Sequence, residues 1–189
     1  FGTDRFGYDI YSRSLYGAQT ALIVGVVTAA VSTIIGIVVG HVKVPDQGHL
    51  EEGLMRFTEV FLVLPAFIVI LLMVRIFMIV IVGTPLGNFP HFNLLMIVLI
   101  LGIFSWPNIA RVTRSEFKRI KNSDYVEAAR CLGASNLRIV FRHILPNAIP
   151  SIIVLSALTI GGAILSEAMV SFLGFGDPKM ISWGQMLTF

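Results

Sequence analysis

Four long apolar stretches constrain the fold of this chain more than any other feature of its sequence. A helix needs about 20 largely apolar residues to cross a hydrocarbon core of about 30 Å. Because lipid offers no partners to free backbone groups, only helices and closed barrels can cross it, and these stretches are too long for barrel strands. The sequence therefore predicts an all-α polytopic membrane protein. The four predicted spans are residues 18–40, 60–82, 92–110 and 144–166.

The composition agrees with a lipid-facing surface. Only 13% of the 189 residues are charged and 56% are hydrophobic, with a mean hydropathy of +0.85, whereas about 25% of the residues in soluble domains are charged. The single cysteine, Cys131, excludes an intrachain disulfide and zinc sites built on cysteine pairs. The histidines form no i, i+4 pair and have no carboxylate cluster beside them, so we expect no bound metal. They are His41, His49, His91 and His143.

Lysine and arginine are unevenly divided among the segments outside the predicted spans. Segment 111–143 contains eight of them and segment 41–59 contains two, whereas segment 1–17 contains two, segment 83–91 none and segment 167–189 one. The positive-inside rule therefore predicts that the first two of these segments face the cytoplasm and that the other three are external. The chain would then begin outside the cell, so we expect at least one further span to precede it.

The segment between the third and fourth spans is too long for a simple turn and is predicted to form two short helices. Asp124 fits an N-cap with Glu127 three positions on, which is the capping-box arrangement. The first helix would run over residues 125–132 and end at Gly133, a residue that can adopt the positive φ of a helix C-terminus. Ser135 or Asn136 would cap the second helix. Its apolar stripe would be Leu137, Val140, Phe141 and Ile144, with Arg138 and Arg142 on the more polar side.

This pair of helices has two possible surroundings. A short helical element with an apolar stripe and a charged rim can fill a groove on a soluble partner. A basic helix pair can also lie on the lipid headgroups. The amphipathic pattern alone leaves both interpretations open.

Paired glycines occur in two of the spans. Gly36 and Gly40 share one helical face, and Gly161 and Gly162 are adjacent in the last span. Small residues let helix backbones approach each other within a membrane. Because such pairs are common in apolar segments, we expect them to serve packing within the chain rather than dimerisation.

The spacing of residues in the predicted helix pair resembles a known signature. Glu127-Ala128-Ala129 is followed by Gly133 and then by Ile144-Leu145-Pro146. This pattern, in the largest cytoplasmic loop and directly before a span, is similar to the signature loop of binding-protein-dependent importer permeases. That loop reads Glu-Ala-Ala, then Gly, then Ile-x-Leu-Pro at comparable spacing.

Other stretches extend the resemblance across the chain, towards permeases of dipeptide, oligopeptide and nickel importers. The resemblance implies a type I ABC importer transmembrane-domain fold of about six spans, of which this chain would contain four, the second to the fifth. The similar stretches are Phe1-Gly-Thr-Asp4, Gly7-Tyr-Asp9, Ser12-Arg13, Met55-Arg56 with Pro65, Ser171-Phe-Leu-Gly174 and Ser182-Trp-Gly-Gln-Met-Leu187.

The resemblance also implies a role for the signature residues. They would form a coupling helix that contacts a cytoplasmic ATPase subunit, with Glu127 accepting a hydrogen bond or ion pair from it and Gly133 making the turn. The implied contact residues are Glu127, Ala128, Ala129, Gly133, Leu145 and Pro146.

The function implied by the resemblance is that of a permease subunit in the inner membrane of a prokaryote, moving di- or oligopeptides by alternating access. Nickel and oligosaccharides are alternative substrates within the family. Implied partners are a second homologous permease subunit, two cytoplasmic ATPase subunits, an external solute-binding protein and membrane lipid, without nucleic acid. Because the sequence contains no Gly-x-x-x-x-Gly-Lys-[Ser/Thr] phosphate loop, ATP-Mg would bind to the ATPase subunits. This chain would be a transport subunit without a cofactor rather than an enzyme.

Arg75 is the one basic residue inside a predicted span, where a charge at the bilayer centre costs about 3 kcal/mol. It lies seven residues before Val82, roughly 10 Å from the outer end of the span at the rise of a helix. Snorkelling of its side chain to the outer surface is therefore favoured over lining of the translocation path.

Two functions of other classes are also considered. Gly174-Phe-Gly-Asp177 and Tyr8-Asp9 match the motifs of intramembrane aspartyl proteases, but that chemistry needs two carboxylates facing each other at membrane depth, and both aspartates lie outside the predicted spans. A channel or secondary transporter would use buried ionisable groups near the midplane. Only Arg75 approaches that description, and no acidic residue interrupts a span.

Overall fold

In a computed structural model the chain is a bundle of helices. The structure describes residues 2–41, 49–81 and 91–188. The only β-pairing in this part of the chain is a single bridge between Thr3 and Asp9. The helices are α1 Ile10–His41, α2 His49–Val63, α3 Ala66–Ile81, α4 Phe92–Lys121, α5 Asp124–Cys131, α6 Asn136–Ile139, a π-helical turn Val140–Ile144, α7 Leu145–Phe172 and α8 Trp183–Met186.

Three helical stretches are long and apolar enough to cross a membrane, and a fourth span is formed if a bent pair of helices is counted as one. The three are Ile10–Gly40, Phe92–Lys121 and Asn136–Phe172, and the bent pair is Arg56–Val63 with Ala66–Val80. The helical class predicted from the sequence is confirmed. Each of these three stretches extends beyond its predicted span by at least one turn.

The described part of the predicted span 60–82 is a bent pair of helices rather than one straight helix, and its crossing of the membrane as a single span stays a prediction. The chain bends by 86° between the two helices of the pair, at Leu64 and Pro65. Proline has no N–H to donate to the preceding turn, and it disfavours the helical conformation in the residue before it. Part of the predicted loop 41–59 is helical as well, because α2 begins at His49; residues 42–48 of that loop lie outside the described residues.

Helices α1 and α4 run side by side in the same direction, and their glycines allow the close approach. A Cβ added to Gly36 would lie 2.6 Å from Cγ2 of Ile109, and one added to Gly40 would lie 2.7 Å from the carbonyl oxygen of Ala110. Both glycines therefore serve packing within the chain, as expected. Gly161 and Gly162 differ, since no atom of the described residues outside the neighbouring turns of their own helix lies within 4 Å of a Cβ placed there.

Helix α7 runs antiparallel to α1. A Cβ on Gly25 would meet Ile160 and Ile164, and the hydroxyl groups of Thr33 and Ser156 are 2.7 Å apart. A hydroxyl pair of this kind satisfies two polar groups between helices in an apolar setting. The buried side chains between α1, α3, α4 and α7 form the bundle core. These are Val24, Ile70, Val74, Leu94, Ile97, Val98, Ile100, Leu101 and Val170.

The segments before α1 and after α7 meet at one end of the bundle. The indole N–H of Trp183 donates to the carbonyl of Ser14 (3.0 Å), and Arg5 donates to the carbonyl of Thr188 (3.1 Å). Glu167, which is buried, accepts a hydrogen bond of 2.5 Å from Ser171 at the base of this end. The hydrogen bonds fix the short helix α8 across the end of α1.

Candidate partner-docking site

The opposite end of the bundle carries a helical hairpin, residues 123–146, which connects α4 to α7. Its turn is made by Gly133, whose φ is +80°. The Gly133 N–H donates to the carbonyl of Arg130 and the Ala134 N–H donates to that of Ala129. This pairing satisfies the last carbonyls of α5 and is the Schellman arrangement that favours glycine. The turn lies where the sequence predicted it.

The N-cap of α5 is Ser123, so the predicted cap at Asp124 is wrong by one residue. Ser123 has the extended backbone of a cap, with φ −85° and ψ 147°. Its carbonyl accepts from the N–H groups of Val126 (3.0 Å) and Glu127 (3.1 Å), and its hydroxyl donates to the carbonyl of Ile120. Asp124 becomes the first helical residue, where its negative charge is favourable beside the positive end of the helix.

The second arm of the hairpin is continuous with the membrane-spanning helix that follows it. The Ser135 hydroxyl accepts from the Arg138 N–H at 3.5 Å, and the π-helical turn then joins α6 to α7 without a break. Pro146 lies at the start of α7, and it has no N–H to donate to the π-helical turn that precedes it. The Asn147 side chain donates to the carbonyl of His143 at 2.6 Å. Any displacement of the second arm is therefore applied directly to α7.

One face of the hairpin is buried against its own bundle. Val126 of the first arm has no exposed surface, and Ile139 and Ile144 of the second arm are buried as well. Together with residues of α4 and α7 they form the hairpin cluster. Its members are Ile109, Ile120, Val126, Ile139, Ile144, Ala148 and Ile152.

The predicted apolar stripe of the second arm does not pack as one face. Ile144 is buried and Val140 is half-buried, but Leu137 and Phe141 are 70% and 62% exposed. The π-helical turn adds a residue to the local period, so the buried positions are Ile139 and Ile144, five residues apart. A prediction based on a regular helical period missed this change of register.

The opposite face of the hairpin presents apolar side chains that are exposed in the part of the chain that the structure describes. Leu132, beside the turn, is 88% exposed, and Tyr125 is also exposed. The rings of Tyr125 and His143 lie 6.5 Å apart, which brings the two arms together. Arg130, Arg138 and Arg142 are exposed around these apolar residues. The arrangement is an apolar tip with a basic rim.

The structure divides the predicted contact residues between the tip and the base of the hairpin. Glu127, Ala128 and Gly133 are exposed near the tip, and Ala129 is half-buried there. Leu145 and Pro146 lie at the base in the first turn of α7, half-buried and exposed respectively. The exposed side chains of Leu132 and Tyr125 were not among the predicted contacts. The sequence feature that could have identified them is their position beside the signature residues, on helix faces that point away from Val126.

Arg75 is exposed on α3 and lines a shallow recess with Met78, Ile79 and Asn93. Its position on the exposed side of the chain is compatible with snorkelling and with lining of a path. Both interpretations stay predictions.

The aspartates considered for protease chemistry have local structural roles. Asp9 accepts hydrogen bonds from the Ser12 N–H and hydroxyl at the start of α1. Asp177 accepts from the Lys179 N–H at 2.9 Å in the segment after α7. Among the described residues, no group of three or more His, Cys, Asp or Glu side chains is placed to hold a metal ion.

Comparison with known proteins gives consistent matches over nearly the whole chain. Residues 32–189 match the family described as binding-protein-dependent transport system inner membrane component. The oligopeptide transport system permease protein OppC of Bacillus subtilis is 37% identical over 98% of this chain and 57% of its own length. The dipeptide transport system permease protein DppC of the same organism is 36% identical over 98% of this chain and 54% of its own length. The glutathione transport system permease protein GsiD of Pectobacterium atrosepticum is 34% identical over 98% of this chain and 58% of its own length. The chain thus spans a little over half the length of these relatives.

A solved structure shares the fold. The structure is that of the MetNI methionine ABC transporter in inward-facing conformations, and one of its chains superimposes on this chain with a TM-score of 0.71 and 25% sequence identity. The match covers 92% of this chain and 78% of that chain. The overall fold of this chain is therefore an arrangement seen in an ABC transporter.

Proposed function

Since the chain belongs to the family of binding-protein-dependent transport system inner membrane components, we propose that it is part of the permease subunit of an ATP-driven importer of small peptides. It is a multi-pass helical membrane protein. The relatives named for oligopeptide, dipeptide and glutathione transport support a peptide substrate. Nickel and oligosaccharides stay as alternative substrates. A second permease subunit, two ATPase subunits holding ATP-Mg and an external solute-binding protein would complete the transporter.

The hairpin is the observation that carries this proposal. Leu132 and Leu137 are exposed while Val126 and Ile139 beneath them are fully buried. An apolar side chain contributes about 1.5–3 kcal/mol when it is removed from water, so this tip favours insertion into a groove on a partner. Glu127, exposed beside it, would add a charge-assisted hydrogen bond worth about 1.5–3 kcal/mol when shielded by the partner.

The distance of the hairpin from the membrane favours a protein partner over lipid headgroups. Helix α4 continues to Lys121, and its charged residues begin at Arg111. Eleven further residues extend a helix by roughly 16 Å. The headgroup layer on one side of the hydrocarbon core is only about 5–8 Å thick. The end of α4 at Lys121 would therefore lie beyond the headgroups if the helix stands perpendicular to the membrane, and the first arm of the hairpin begins there.

Closure of an ATPase dimer around ATP would pull the hairpin with it. Because the second arm is continuous with α7 and the hairpin cluster joins both arms to α4, the pull would tilt these helices together. Tilting of the spans would convert an inward-open path into an outward-open one. The external binding protein would deliver the solute to the outward-open state.

The test is the association of this chain with an ATPase. The chain is affinity-tagged in its native host, purified in mild detergent and analysed by mass spectrometry for co-purified nucleotide-hydrolysing subunits. We expect an ATPase to co-purify with the wild type and to be lost with Glu127→Lys or Leu132→Asp. Leu187→Asp is the matched control, because Leu187 is also a highly exposed leucine (71%) and lies at the other end of the bundle. The absence of any ATPase from the wild-type complex would refute the proposal.

A further inference from the structure

The carboxylate of Glu116, next to the hairpin, forms a hydrogen bond between α4 and α7, the two helices that the hairpin connects. Glu116 lies in the part of α4 beyond the predicted span, and its Oε1 accepts a hydrogen bond of 3.1 Å from the hydroxyl of Ser151 on α7. Its Oε2 accepts two from the Arg119 guanidinium, at 3.0 and 2.6 Å. The Glu116 side chain is only 20% exposed, whereas that of Arg119 is 69% exposed. The Glu116 carboxylate is thus better shielded from solvent than the guanidinium of Arg119 with which it forms an ion pair.

The hydrogen bond supplies what the neighbouring apolar packing cannot. The hairpin cluster holds α4 and α7 together through Ile109, Ile120 and Ile152, but the hydrophobic effect itself is non-directional. A hydrogen bond weakens steeply when its distance or angle departs from the optimum. The bond between Glu116 and Ser151 therefore fixes the register of the two helices.

The two arms of the hairpin are connected to the bundle in different ways. The second arm is part of the same continuous helix as α7, whereas the first arm meets α4 at a break in the helix, at Asn122 and Ser123, and through the packing of Val126 in the hairpin cluster. A pull on the hairpin would act on α7 through a continuous helix and on α4 through a break in the helix and side-chain packing. A rigid link between α4 and α7 would make the two helices follow a displacement of the hairpin equally.

We propose that Glu116 is a positioning residue for transport, which makes α4 and α7 move as one body when the hairpin is displaced. This inference rests on the proposed function, because it concerns how motion of an ATPase reaches the spans. Loss of the link would let α7 move while α4 lags. ATP would then be hydrolysed without a complete conversion of the path.

The experiment measures the coupling between hydrolysis and transport. The complete transporter is reconstituted into proteoliposomes, and the number of ATP molecules hydrolysed per solute transported is measured for Glu116→Ala, Ser151→Ala and the double variant. Each single variant should raise this number by about tenfold or more, the factor for loss of one hydrogen bond to a charged group. The double variant should raise it no further, because both changes remove the same interaction.

Two variants serve as controls for the ion pair and for folding. Arg119→Ala breaks the ion pair but leaves the bond to Ser151, and Glu116→Gln keeps an oxygen acceptor for that hydroxyl; both should stay near the wild-type ratio. Ser151→Ala removes a single hydroxyl group, so the test does not depend on the larger change at Glu116. The ratio is normalised to assembled complex, which a merely destabilised variant would reduce without changing the ratio.

The outcomes separate this inference from the proposed function. If the wild type imports solute at the expense of ATP but Glu116→Ala and Ser151→Ala leave the ratio unchanged, or if their effects add in the double variant, the role of Glu116 is refuted and the proposed function stands. If the wild-type complex shows no ATP-dependent uptake, both are refuted.

Discussion

Gly133 shows what a single backbone conformation contributes to the hairpin. Its φ of +80° lies in the left-handed region, and no described atom lies within 4 Å of a Cβ placed on it. A side chain at this position would therefore meet no steric obstacle. The free-energy cost of replacing Gly133 by a residue with a Cβ is therefore the cost of the left-handed conformation alone, about 1–2 kcal/mol.

We expect Gly133→Ala to loosen the turn of the hairpin without disturbing the bundle. Protection of the Gly133 and Ala134 amide positions against hydrogen exchange should fall by about fivefold to thirtyfold, in line with that energy. Gly162→Ala is the matched control, because Gly162 also has no atom within 4 Å but lies inside α7, where alanine is the better helix former by about 1 kcal/mol. Equal loss of protection at the turn in both variants would contradict this explanation.

At the scale of an element, the segment before α1 is ordered by its two aspartates. Partial desolvation raises the pKa of Asp4, but hydrogen bonds from the N–H groups of Tyr8 and Phe6 and from Arg13 outweigh it and hold the pKa below its usual value of 3.8. Hydrogen bonds from the Ser12 hydroxyl and N–H likewise lower the pKa of Asp9. Both groups are needed as carboxylates in the folded segment.

The order of this segment should depend on pH in acid. Because the pKa of Asp4 in the folded segment lies below 3.8, its stabilising effect is complete above that pH and is lost as the pH falls through the folded-state pKa. Hydrogen-exchange protection of the Phe6 and Tyr8 amides, corrected for intrinsic exchange, should therefore be constant near neutral pH and disappear in acid. In Asp4→Asn, which cannot titrate, the residual dependence should come from Asp9 alone. An unchanged acid profile in that variant would show that Asp4 is not responsible.

At the scale of the whole molecule, the packing of α1 on α4 sets the shape of the bundle. A Cβ placed on Gly36 would lie 2.6 Å from the Ile109 side chain, and a Cβ placed on Gly102 would lie 2.7 Å from the Val31 side chain. The helices are therefore in contact along their length through small residues on both sides. Their separation leaves no room for a larger side chain.

Gly36→Leu should destabilise the purified chain, because forcing a side chain into a close-packed interface costs about 1–3 kcal/mol. The measurement is the midpoint of thermal unfolding in detergent. Gly161→Leu makes the same chemical change at a glycine with no described atom within 4 Å, and it should leave the midpoint of the isolated chain unchanged. A similar loss of stability in both variants would mean that the contact at Ile109 is not the cause.

Several features of the fold could be predicted from the sequence, because they depend on residues that are close together in the chain. The long apolar stretches predict helical spans, since lipid leaves backbone groups no other partner. Gly133 predicts the turn, and its positive φ is found. Pro65 could have signalled the break in the second predicted span, but the 86° bend also depends on how α2 packs on α4, where Phe61 lies against Phe104 and Trp106.

The sequence alone therefore determined that this chain is a membrane-spanning helical bundle with a helical hairpin of the permease signature, because hydrophobicity and helix ends are local properties. Only the tertiary structure decided which face of the hairpin is uncovered. The exposure of Leu137 and Phe141 follows from the register change at the π-helical turn and from burial of Ile139 against α4 and α5. The bond from Glu116 to Ser151 joins residues 35 positions apart, and such a contact exists only once the helices have packed.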